Sequence, residues 1–263
     1  MGATRGKLCL GAVAVCLVLA GSAYANTGTL DLQYVNYEPG YWVKIHLDGE
    51  IHATVGTGVY NLRLRPIGDN GYVPTGEGLG FYPGPQGGII NTFCADVHQY
   101  VPSKTEWTTY EVNYPADAPI GDSQPLMESS KANDLKKLFA DHAGILETTD
   151  DLEAAAFELC VWEIIYEREQ PSYSVAWDAG SFYAVDPSTV RDQANAWLQR
   201  INNGTATEMD ERLRILSNEC RQDYAITLET GDQPPIPEPL TMVALSLGVG
   251  GLAGYVRRRR GMA

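Results

Sequence analysis

Cys94, Asp96 and His98 fall at two-residue intervals in the stretch NTFCADVHQ. A thiol, a carboxylate and an imidazole are the parts of a cysteine hydrolase, in which the imidazole takes the thiol proton. The spacing argues against that use. The stretch alternates apolar with polar and reads as a strand, where Cys94 and His98 would share a face but stand about 13 Å apart at ~3.3 Å per residue. His98 then reads as a surface or sheet-face histidine, and no catalytic residue is assigned. A second cysteine lies in AAAFELCVWEIIYE, which has helical period. At about 100° per residue, Glu158 and Trp162 share a face while Cys160 lies about 200° from Glu158. If Glu158 looks at Cys94, Cys160 looks elsewhere.

The other chemical candidates read as structural. Glu163 and Glu167, at i and i+4, suit a solvated helix face beside Arg168, and Thr149, Asp150 and Asp151 supply a cap and an acidic first turn, where calcium could bind. The chain has no EF-hand loop and no zinc-type Cys/His spacing, so no metal site and no cofactor is assigned. Trp107, Trp162, Trp177 and Trp197 offer ring faces for a sugar site, although core packing is the commoner use of such rings.

The elements that must carry these residues follow from periodicity. TGTLDLQYV, YWVKIHLDG, IHATVG and VYNLRLR alternate and break at Gly, Pro and Asp-Gly, which predicts antiparallel strands up to Leu64. Residues 65–88 are so rich in Gly and Pro that they read as a long surface loop. IINTFCADVHQYV and WTTYEVNYP resume the strands. Beyond Pro125 the period turns helical in LMESSKANDLKKLFADHA, in DDLEAAAFELCVWEIIYE, and in DPSTVRDQANAWLQRI with Asp186 as N-cap before Pro187 at N1. LRILSNECRQDYAITLE returns to strand. The expectation is an α+β fold, an antiparallel sandwich or barrel-like sheet with a helical insertion of about three helices.

The two ends differ from this middle. Six of the 19 Lys and Arg residues lie in the ends, leaving 13 against 32 acids between residues 26 and 236, a charge of about −19. Such a surface repels phosphate backbones and argues against nucleic acid as a partner. Residues 1–25 have a basic start, an apolar run and Ala23-Tyr24-Ala25 in a small-x-small arrangement, the pattern of a signal peptide cut by signal peptidase after Ala25. Residues 26–230 form the extracytoplasmic domain. Residues 231–239 are a stiff linker ending in Pro237, Glu238 and Pro239. Residues 240–263 hold an uncharged run about 25 Å long as a helix, enough for a single transmembrane helix, then Arg257, Arg258, Arg259 and Arg260.

Pro-Glu-Pro, apolar run and arginine cluster, in that order, resemble the PEP-CTERM sorting signal of Gram-negative bacteria. The resemblance implies recognition by an exosortase-type membrane protease, which cuts near the Pro-Glu-Pro. NTFCADVHQ and AAAFELCVWEIIYE, with QDYAITL and ANAWLQRI, resemble in turn the motifs of bacterial surface thioester domains. There a strand Cys faces a Gln on a helix, and the two form an internal thioester that can acylate a target. The resemblance puts Cys94 at the thiol position and Glu158 where the Gln would stand. A Gln sheds ammonia on forming a thioester, whereas a carboxylate offers only water, so the Cys94–Glu158 bond is not expected to form spontaneously.

Signal cleavage leaves Cys94, Cys160 and Cys220 in an oxidising compartment. One disulfide and one free thiol is the simplest arrangement, with Cys160–Cys220 preferred from the helix wheel and Cys94–Cys160 as its rival. The function expected first is that of an exported, non-enzymatic protein. It begins as an inner-membrane anchored precursor, is sorted by exosortase to the cell surface or beyond, and acts by display among exopolysaccharide or matrix components. The alternatives are a covalent adhesin acting through a Cys94 acyl bond and a secreted hydrolase using acidic residues.

Overall fold

The computed structural model describes residues 26–47, 51–65, 73–74, 79–81, 88–119, 126–168 and 171–230. The expected signal peptide with Ala23 and Ala25, the Pro237-Glu238-Pro239 motif, the transmembrane run and the arginine cluster all lie outside them. Among the described residues no helix is long and apolar enough to cross a membrane.

The fold is α+β, with an antiparallel seven-stranded sheet and three α-helices. The strands expected from TGTLDLQYV and YWVKIHLDG form one long strand, β1 (Asn26–Leu47), and the next two form β2 (Ile51–Leu64). Where the sequence suggested a break at Pro39-Gly40, the pairing of β1 with β2 instead shifts register between Tyr34 and Asn36 and again between Tyr37 and Gly40. Bulges let a strand bend without ending. Gly40 and Gly58 meet across this irregularity. A Cβ on Gly58, whose φ is +146°, would lie 2.1 Å from the Pro39 carbonyl oxygen, so only glycine allows the two backbones to approach.

Two short strands, β3 (Val73–Pro74) and β4 (Leu79–Phe81), lie within the stretch that reads as loop. After them come β5 (Ile89–Cys94) and β6 (Thr108–Asn113). The helical half carries α1 (Ser129–Asp141), α2 (Asp151–Tyr166) and α3 (Ser188–Asn202), with β7 (Phe182–Asp186) between the last two. β8 (Leu213–Asn218), β9 (Arg221–Thr227) and β10 (Glu229–Thr230) follow. The main sheet runs β2-β5-β9-β8-β6-β1-β7, and β1 also pairs with β2, so six strands close into a ring with β7 outside it. β10, β4 and β3 make a separate small sheet.

α2 is the central helix. Every residue from Ala154 to Tyr166 is buried, Glu158 and Glu163 included, so the helix is covered on all sides. It lies against β1 and β2, with α1 and α3 packed on it. Asp150 caps it, its Oδ1 accepting from the Leu152 and Glu153 N–H groups at 2.8 and 3.0 Å. The start of α3 departs from expectation. Pro187 is the N-cap, and Asp186 is instead the last residue of β7, paired with Lys44 of β1. A five-residue strand has too few positions to show a period, so tertiary pairing overrides the capping signal.

Candidate functional site

β5 ends at Cys94 rather than continuing to Val101. The cause is local: Asp96 folds back, its Oδ1 accepting the His98 N–H at 2.8 Å and the Tyr166 hydroxyl at 3.0 Å, and residues 97–99 bend. Side chains near Cys94 are therefore set by the bend and by β9, not by an extended strand. His98 has its Nδ1 3.5 Å from Asp96 Oδ1 and its ring 5.4 Å from that of Tyr166, so it stands on the Asp96–Tyr166 pair.

Glu158 does face Cys94, but through the backbone. Its Oε1 accepts the Cys94 N–H at 2.9 Å and its Oε2 accepts the Gly58 N–H. The carboxyl thus ties α2 to β2 and β5 at the point where Gly58 interrupts regular pairing. Glu158 is fully buried with no cation on it among the described residues, and burial pushes its pKa well above the usual carboxylate range against the pull of the two N–H groups. Burial first, then the nearby Glu158 and Asp96 carboxyls, push the Cys94 thiol up as well, and the thiol is held protonated.

The side chain against the sulfur is one that sequence reasoning missed. Gln222 Nε2 lies 2.8 Å from Cys94 Sγ and 3.4 Å from the Asp96 carbonyl oxygen, while the thiol donates to that same carbonyl at 3.1 Å. Strand pairing explains the meeting. Cys94 is opposite Tyr224 in the β5–β9 register, and Gln222 is two residues from Tyr224 on the same face, which makes it the diagonal neighbour of Cys94. Cys94 is wholly buried and Gln222 is 6% exposed. Gln222 Oε1 has no hydrogen-bond partner among the described residues. The Trp162 indole N–H lies close enough to the sulfur to lower the thiol pKa, yet it makes no hydrogen bond of normal geometry.

A thiol packed against a primary amide in the buried core is a set of reactants. Attack of Cys94 Sγ on Gln222 Cδ forms an S–C bond and breaks the C–N bond, and the thiol proton passes to the departing nitrogen to complete ammonia. The Gln222 carbon is one bond of about 1.3 Å beyond the nitrogen, so it lies no more than about 4 Å from the sulfur. The raised thiol pKa opposes the attack, since the thiolate is the nucleophile, while the same proton is the one that the departing ammonia takes up.

The remaining sequence candidates are not gathered here. The expected Cys160–Cys220 disulfide is absent, and among the described residues Cys94, Cys160 and Cys220 are all free. Cys160 is buried with its Sγ directed to the Ala194 carbonyl of α3 at 3.4 Å, turned away from Cys94 as the wheel requires, whereas Cys220 is exposed in the β8–β9 turn. The rival Cys94–Cys160 pair is excluded by the same directions. Glu163 and Glu167 are buried, not solvated. Residues 171–186 cover the end of α2, and their N–H groups need acceptors: Ser174 donates to Glu163 at 2.6 Å and Ser181 to Glu167 at 3.1 Å. Burial raises the Glu163 pKa to about 8.

Asp151 accepts the Gly40 N–H, and among the described residues no group of three His, Cys, Asp or Glu side chains could hold a metal. The four tryptophans do not line one site. Trp107 lies under Arg65, Trp162 is in the core against Phe182, Trp197 stacks near His142, and Trp177 is exposed on its own.

Comparison with family models, with curated proteins and with solved structures finds no match.

Proposed function

We propose that the chain is an exported surface or matrix protein that attaches covalently to its target through an internal thioester between Cys94 and Gln222. What supports the reading is the 2.8 Å contact of the Gln222 amide with the Cys94 sulfur, both buried from solvent. A thioester kept from water resists hydrolysis, and it reacts with an amine or hydroxyl of a target once the buried Cys94–Gln222 pair is uncovered. The nucleophile then bonds to Gln222 Cδ, and the sulfur leaves and regains its proton. Such a step occurs once per molecule and joins it to the target, so the protein is not an enzyme. Glu158 holds the Cys94 and Gly58 backbones and takes no part as the acyl group.

Methylamine is the simplest nucleophile to use. Incubation of the purified protein is expected to leave Cys94 free and to add methylamine to Gln222, about 14 Da above the unmodified glutamine, as read by peptide mapping. An unlabelled Gln222 peptide, or a label elsewhere, contradicts the reading.

Delivery to the surface rests on the signal-like start and on Pro237, Glu238, Pro239 and the arginine cluster, through signal peptidase and an exosortase-type protease. Deleting Pro237, Glu238 and Pro239 is expected to trap an unprocessed membrane form. Equal release of both versions in a cell fractionation contradicts sorting by that motif.

A further inference from the structure

The bulge of β1 builds a second feature that the acyl chemistry does not use. Trp42 is 64% exposed, unusual for so large an apolar ring, and it is opposite Gly56 in the β1–β2 register. The Tyr37 ring lies on Gly56 so closely that a Cβ there would come within 2.8 Å of it, and it meets Trp42 edge-on, with centroids 5.8 Å apart and planes at 89°. Tyr37 also packs on Tyr60 at 5.9 Å. The corner is therefore fixed from beneath. Beside it Lys104 Nζ stands 5.7 Å over the Tyr34 ring. Trp42, Tyr37 and Tyr34 line an open groove of about 790 Å³ whose polar edge is formed by Glu38 and Asp151. Asp151 pins the bulge to the start of α2 by accepting the Gly40 N–H at 2.9 Å.

We propose that this groove binds a neutral hexopyranose glycan. A pyranose ring has C–H faces that pack on exposed aromatic rings and hydroxyls around its edge that need ionic or amide partners, and the groove interleaves both. Two carboxylates against one ammonium, on a body of about −19, disfavour a polyanionic chain. Rings held by neighbours lose little freedom on binding, which suits a weak, shallow ligand. Glu158 lies seven residues along α2 from Asp151, about 10 Å at 1.5 Å per residue, so the groove lies about two helical turns from the residue that holds the Cys94 backbone. The inference goes beyond the thioester reading and does not require it.

The test is a tryptophan-fluorescence titration of the purified protein with cellohexaose, laminarihexaose and mannohexaose, and with hexagalacturonate as the anionic arm. Saturable binding of at least one neutral hexasaccharide is expected. Trp42→Ala and Tyr37→Ala should weaken it about tenfold or more, equivalent to about 1.4 kcal/mol. Trp177→Ala, which removes an equally exposed ring elsewhere, should leave it unchanged. Methylamine-treated protein should bind alike, so loss of the acyl bond and loss of glycan binding are separable. The proposal is overturned if no neutral hexasaccharide saturates at millimolar concentration, if hexagalacturonate binds most tightly, or if Trp42→Ala binds as wild type does.

Discussion

Gln222→Glu is expected to abolish reaction with methylamine while leaving the protein folded. The substitution keeps the length and shape of the side chain but replaces ammonia by water as the group lost, so the bond to Cys94 no longer forms unaided. Cys94→Ala should lose the same reactivity by removing the nucleophile, and neither change should alter far-ultraviolet circular dichroism. The effect expected is complete loss of the labelled Gln222 peptide, not a graded decrease. Glu158→Gln provides the contrast, because it places an amide at the position that the family resemblance assigns to the acyl group. If the amide at residue 158 restored labelling in a Gln222→Glu background, the acyl group would have been misassigned. The geometry predicts no restoration, since residue 158 meets the Cys94 backbone and residue 222 meets the sulfur.

Replacing Glu158 should have the largest effect on stability. Glu158→Leu leaves the buried N–H groups of Gly58 and Cys94 without acceptors, at about 1–3 kcal/mol each, for a loss of about 2–6 kcal/mol in urea denaturation at pH 5. Glu158→Gln keeps one acceptor and turns an NH2 toward the other N–H, so it should lose about half as much. pH separates the charge from the hydrogen bonds. Burial raises the folded pKa of Glu158 above its unfolded value of about 4.3. Its contribution is thus fully present below pH ~4.3 and falls as pH rises toward the folded pKa, by at most about 1.4 kcal/mol per unit. Glu163, raised to about 8, acts with the same sign between its unfolded value of about 4.3 and about 8. Glu158→Gln should therefore flatten the wild-type slope by one proton's worth and leave the part due to Glu163. A Glu158→Leu variant as stable as wild type, or an unaltered slope in Glu158→Gln, contradicts the assigned role.

The parts of this molecule that sequence could reveal are those governed by local periodicity. The three helices, the Asp150 cap, the antiparallel strands on either side and the outward turn of Cys160 from Glu158 all follow from spacing along one element. Pairing between distant strands leaves no such trace. Gln222 is one polar residue in RQDYAIT, and nothing in that stretch says that β9 lies beside β5 or that Tyr224 is opposite Cys94. Gln222 shares a strand face with Tyr224 and Ile226, and a Gln on that otherwise apolar face was the available signal. Glu163 and Glu167 misled for a related reason: the i, i+4 pattern fits a solvated face, and only the segment folded over α2 makes their carboxylates acceptors for Ser174 and Ser181. β1 concealed its continuity because Pro39-Gly40, a turn signal in isolation, is absorbed as a bulge once Gly58 allows close approach.

Intact mass under denaturing, non-reducing conditions tests the thioester most directly. Freshly purified protein is expected to be lighter than its sequence by about 17 Da, the mass of one ammonia, and Gln222→Glu should match its own sequence. A wild-type mass equal to that of the sequence, with Cys94 freely alkylated after unfolding, would contradict it.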